Sequence, residues 1–234
     1  TDPATNVKML IADSHLVPDV AIDDPLLTVT CSPLVTASTG LDALTHAIES
    51  YISVRATALS EVLARSAIRK IGRSLRSAFA RGEDLTARAL MHVASLEAGM
   101  SFSNASVALV HGMARPIGAY FHTAHGISNA VLLPHVMAWS LPGAPGRFAE
   151  IARALGVDTA GLSESQAAER AVAEVQALCR DLHIPGLAGL GIDPAKLMAL
   201  APTMAKDALD SGSPGNNPRV PSPEEIVALY RAAL

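Results

Sequence analysis

The sequence predicts a mainly α protein, and three observations carry that reading. Apolar residues recur at three- and four-residue spacing through most of the 234 positions. Half of the residues are apolar but only 3% are aromatic, so Ala, Leu, Val and Ile must fill the core. Ala and Leu are also the strongest helix formers. The only convincing β-type runs, "KMLIAD" at 8–13 and "PDVAID" at 18–23, sit at the extreme N-terminus. The length allows one large domain or two small ones.

After "SPLV" at 32–35 the pattern turns helical. Residues 34–53, 57–80 and 84–102 are expected as helices, with Gly82 between the second and third and a "FSNAS" turn at 102–106 closing the third. Two strongly apolar helices follow at 106–120 and 125–140, around a "FHTAHG" link. Amphipathic helices are expected at 145–155, 163–182 and 194–210, punctuated by Gly156 and an "IPGLAGLGI" loop. "SGSPGNNPR" at 211–219 reads as a loop. The closing "SPEEIVALYRAAL" starts with Ser222 as N-cap, Pro223 at the first helical position and Glu225 three residues on, which is a capping box.

Charge narrows the function classes. A net charge of −4 leaves no basic footprint for nucleic acid or an anionic membrane. From Ala98 to Gly146, 49 residues, Arg115 is the sole Asp, Glu, Lys or Arg. A bilayer span needs only ~20 apolar residues, yet His111, His122, His125, Asn129, Pro134 and His135 interrupt every window. Buried helices, apolar all round, are the better account. The opening "TDPATNVKML" has neither the basic nor the apolar region of a signal peptide, and it reads as starting inside a longer protein. Cys31 and Cys179 form no CxxC pattern, so a reduced, cytoplasmic protein is expected.

"LDALTHAIESY" at 41–51 puts Asp42 and His46 four residues apart, on one face of a helix. That is how helices present two metal ligands, although an ordinary Asp–His hydrogen bond uses the same spacing. "VHGMARPIGAYFHTAHGISNAVLLPH" adds His111, His122, His125 and His135 in the uncharged segment. Three histidines and one carboxylate make a four-ligand site for a divalent first-row metal. Spacing alone does not choose among the four histidines.

"GLDALTHAIESYIS", "LVHGMARPIGAYFHTAHGISNAVLLPHV" and "NNPR", in that order, resemble the iron-containing (group III) alcohol dehydrogenases along essentially the whole chain. The resemblance implies a dehydroquinate synthase-like α-helical domain over 33–234. Residues 1–32 would then be remnant strands of a Rossmann-like nucleotide-binding domain lying upstream. It implies Fe²⁺, or Zn²⁺ in some members, on Asp42, His46, His111 and His125, with NAD or NADP in the cleft that His125 borders. His122 and His135 fall to roles around the ligands, His122 being a catalytic candidate. His15, His92 and His183 have no motif around them and read as structural or surface residues. A homo-oligomer, in the simplest case a dimer, is expected.

Two departures from the family pattern matter. Many members carry a second histidine four residues after the one matching His111; here that position is Arg115, a second catalytic candidate. An arginine is no proton relay at neutral pH, but it can hold a carboxylate or phosphate bidentately. It either pairs with a buried acid such as Glu97 or Glu49, or faces the substrate. The second departure is the absence of any glycine-rich dinucleotide loop in these residues. With few aromatic residues to shape a large pocket, a small aliphatic alcohol, aldehyde or hydroxy acid is the expected substrate. Glycerol dehydrogenase-like and maleylacetate reductase-like enzymes share the fold, and a non-catalytic helical module or an inactive fragment are rival readings.

Overall fold

A computed structural model describes residues 13–234. Nine α-helices form among them: α1 (Pro33–Ile52), α2 (Ala58–Ala80), α3 (Leu85–Ala105), α4 (Leu109–Phe121), α5 (His125–Ser140), α6 (Pro145–Ala154), α7 (Glu164–Asp181), α8 (Pro194–Asp210) and α9 (Pro223–Ala232). Short 3₁₀ turns link several of them. The helices begin where side-chain oxygens can satisfy the first backbone N–H groups. Ser32, Thr57, Asp84, Ser163, Asp193 and Ser222 each accept such a bond, and the box expected at Ser222 and Glu225 is present. The third helix runs to Ala105, three residues beyond its expected end and into the segment expected as a turn.

One expectation is corrected. Residues 18–23 form no strand; they are irregular, and Val20 and Ile22 are exposed. A strand needs a neighbour for its alternating N–H and C=O groups, and no sheet exists among the described residues. The other β-type run, 8–13, lies outside the described residues apart from Asp13.

α1 is the central helix, packed against α2, α3 and α5. Leu41, Leu44 and Ile48 on it are fully buried with Ile68, Ile71 and Leu75 of α2 and Met113 and Leu132 of α4 and α5. Small residues let α3 approach: the Ser101 hydroxyl meets the Ser50 hydroxyl at 2.8 Å and bonds the Ser60 carbonyl. α9 locks onto α4 through the buried Tyr230 hydroxyl, which donates to the Met113 carbonyl at 2.7 Å. No described helix is long and apolar enough to cross a membrane. The uncharged segment is instead the buried α4–α5 pair at the heart of the domain.

Candidate metal centre

Three helices meet at one point. α1 carries Asp42 and His46 one turn apart, α4 brings His111 on its first turn, and α5 opens with His125. One donor atom from each of the four lies within 4.8 Å of the others. Asp42 Oδ1 is the hub, 3.5 Å from His111 Nε2 and 3.9 Å from both His125 Nε2 and His46 Nδ1. The His46 ring is held flat between its neighbours, stacked on Phe102 of α3 at 4.5 Å between centroids and 4.3 Å from the His111 ring.

Local sequence explains the convergence. The start of α5 is drawn against α1 at Gly126, where a Cβ would stand 2.8 Å from the Ser38 carbonyl oxygen; only glycine allows that approach. The linker into α4 leaves α3 at Ser106, a non-glycine residue with φ 65°. The first asparagine of "NNPR", Asn216, ties that linker down by donating to Ser106 Oγ and to the Val107 carbonyl. Its own carbonyl accepts from Val54 N–H just after α1.

α4 has no capping side chain of its own, because its N-cap is Ala108. The cap comes from α1. Glu49, 1% exposed, accepts from the N–H groups of Ala108 (3.0 Å) and Val110, and from His111 Nδ1 at 2.6 Å. His111 Nε2 is thereby left facing the cluster.

The electrostatics follow from burial and from this ring of partners. Burial alone would raise Asp42, but the His111 hydrogen bond and the surrounding histidine charges outweigh it and hold the carboxyl at about 2. Burial and the charge of His111 push His46 down to about 4. Burial also works to lower His111, yet Glu49 and Asp42 beside it win and lift it to about 9. At neutral pH the cluster therefore presents an anionic carboxylate and a neutral His46.

A cation fits these residues. Asn129 on α5 is fully buried, and its amide nitrogen sits 2.7 Å from Asp42 Oδ1 and 3.1 Å from the Nε2 atoms of both His111 and His125. Three donor atoms thus aim at one small polar group. The Asn129 carbonyl oxygen has no hydrogen-bond partner among the described residues, which is uncommon for a buried polar atom. Three imidazoles and a carboxylate are a donor set suited to Fe²⁺ or Zn²⁺.

The other candidates fall outside the cluster. Arg115, half-buried, donates to Ser213 Oγ at 2.9 Å. No carboxylate stands within ion-pair distance of it among the described residues: Glu97 holds Lys70, and Glu49 is committed to His111 and the start of α4. Desolvation lowers its pKa, with Glu49 acting against that through space. His122 is exposed at the left-handed C-cap of α4. His135 is half-buried, and burial lowers its pKa. His15 and His183 are exposed, and His92 is half-buried on α3.

Sequence reasoning missed Glu49, Asn129 and Phe102 as parts of the centre. Glu49 had a usable signal, since it follows Asp42 by seven residues and His46 by three, on the same helical face. Asn129 follows His125 by one turn. Phe102 carried none, because stacking across helices is invisible to spacing.

Comparisons with known proteins identify the chain's relatives. Residues 36–234 match the profile of the Fe-containing alcohol dehydrogenase family, C-terminal. The chain is 44% identical to 1,3-propanediol dehydrogenase of Klebsiella pneumoniae, covering 100% of this chain and 60% of that protein. It is 46% identical to long-chain-alcohol dehydrogenase 1 of Geobacillus thermodenitrificans, covering 97% of this chain and 57% of that one. A crystal structure of a 1,3-propanediol oxidoreductase superposes with a TM-score of 0.90 at 44% identity, over 93% of this chain and 56% of that chain. The chain thus spans about three-fifths of the length of the curated relatives it matches.

Proposed function

Because this chain belongs to the Fe-containing alcohol dehydrogenase family, we propose that it is the metal-holding part of a nicotinamide-linked alcohol dehydrogenase that also reduces aldehydes or ketones. The convergence of Asp42, His46, His111 and His125 within 4.8 Å carries the reading. These four would hold Fe²⁺, or Zn²⁺ in its place. When bound, the cation supplies Lewis acidity toward a substrate oxygen.

The chain's own residues do the rest. Asp42, kept ionised, contributes the one negative charge among the ligands, and Phe102 fixes the plane of His46. His125 has the most open side chain of the four, 36% exposed, and borders the face from which NAD or NADP would approach. Exposed His122, three residues earlier, is the group assigned to proton exchange with solvent. Arg115 lies one turn after His111 on α4, and a side chain four residues on shares the same face. With a hydroxyl partner and no acid within ion-pair distance among the described residues, it can meet an acidic group on the substrate. A small hydroxy acid or its aldehyde is therefore the substrate proposed first, ahead of a neutral small alcohol. The two unpaired cysteines suit a reducing, cytoplasmic setting, and a homodimer is the assembly proposed.

Metal content tests the reading. The purified chain loaded with Fe²⁺ or Zn²⁺ should retain about one equivalent per chain by elemental analysis. His111→Ala and His125→Ala should bind it far more weakly and retain well under one equivalent, whereas His92→Ala and His183→Ala should keep it. Equal retention in all four variants would remove the proposed ligand set.

A further inference from the structure

Glu49 does two things at once, and neither belongs to the ligand set. It is a buried carboxylate on α1, and its oxygens accept from the first N–H groups of α4 and from the outer nitrogen of His111. We infer that Glu49 is a positioning residue for the metal centre, setting both the entry of α4 and the tautomer and tilt of the His111 imidazole; this rests on the metal-holding reading above. The carboxylate bond at Nδ1 obliges that nitrogen to keep its hydrogen, so Nε2, facing the ligand ring, is the nitrogen that gives up its proton and offers its lone pair when a cation binds. A negative partner on the far side also makes the imidazole a stronger donor to a cation, an effect that a neutral carbonyl supplies more weakly.

Glu49 stands where α1 can serve as a template. Asp42, His46 and Glu49 lie at i, i+4 and i+7 on one face, so a single rigid helix carries two ligands and the group that aims a third. His111 is 4% exposed at its side chain, and the distances from Glu49 to Ala108 N–H and to His111 Nδ1 are 3.0 and 2.6 Å. The same carboxylate therefore ties the ring to the backbone that bears it. Swivelling the ring would forfeit its bond to Glu49 Oε2, the oxygen that also accepts from Ala108 N–H.

A double-mutant cycle on metal affinity tests the inference, using the whole chain and Co²⁺ in competition with a chelator. Glu49→Gln keeps the shape but removes the charge and can present an N–H where an acceptor is needed. It should weaken Co²⁺ binding about 10- to 100-fold, the usual cost of losing such a partner, and shift the visible absorption bands of the bound ion. In a His111→Ala background the same substitution should change affinity less than about twofold, because its route to the metal is gone. If Glu49→Gln does not fold, Glu49→Asp, which withdraws the carboxylate by one methylene, replaces it in both backgrounds. Equal losses with and without His111 would mean that Glu49 acts only through the fold, and an unchanged affinity would remove the role altogether. A wild-type chain that takes up no Co²⁺ refutes the metal-centre reading itself and this inference with it.

Discussion

Replacing Arg115 by His in the proposed dehydrogenase is the sharpest probe of what its substrates look like. The guanidinium is half-buried, bonds one hydroxyl, Ser213 Oγ at 2.9 Å, and has no carboxylate within ion-pair distance among the described residues. Two magnitudes follow from those facts. If Arg115 holds an acidic group of the substrate, the lost charged hydrogen bond is worth about 1.5–3 kcal/mol. Half-exposure places it near the middle, about 2 kcal/mol, or roughly 30-fold in kcat/KM. The fold, by contrast, loses one side-chain hydrogen bond, about 1 kcal/mol, well short of the ~3–5 kcal/mol expected when a buried ion pair is broken. The assay compares kcat/KM for a short hydroxy acid with that for the neutral alcohol of the same length, alongside the melting temperature. The expected result is a selective loss of tens-fold on the acid and a shift of only a few degrees. An unchanged acid-to-neutral ratio, or a melting loss of the size of a broken buried pair, would refute the substrate role.

Two other perturbations read different parts of the architecture. Gly126→Ala puts a methyl 2.8 Å from the Ser38 carbonyl; it should destabilise the chain by about 1–3 kcal/mol, seen by urea denaturation, and weaken metal retention because His125 moves with the start of α5. Retention equal to wild type would show that the α1–α5 approach does not set the centre. Burial pushes the Cys179 thiol up to about 12, so at pH 8 only roughly one molecule in ten thousand carries the thiolate. A thiol reagent should therefore modify half-exposed Cys31 first and reach Cys179 only in denaturant. Rapid labelling of both at pH 8 would contradict the packing of α7 against α5.

Much of this protein is determined by residue order alone. Helix positions follow from apolar spacing and from Ser, Thr, Asp and Pro at their starts, because capping and propensity act within a few residues of chain. The pairing of Asp42 with His46 is equally local, a consequence of 3.6 residues per turn. Which of His111, His122, His125 and His135 would join them is not local, and spacing left it open. The resemblance to a known family, not periodicity, singled out His111 and His125, and their convergence needed α4 and α5 to pack beside α1. Tertiary structure alone decided the rest. It showed that Glu49, 62 residues before His111 in the chain, caps that histidine's helix and accepts from its ring, and that Phe102 stacks on His46. It also showed that neither Glu97 nor Glu49, the acids weighed as partners of Arg115, pairs with it. The β-type run at 18–23 makes the same point from the other side: a strand's hydrogen bonds are made to another segment, so its sequence can propose a strand but only a neighbour can complete one.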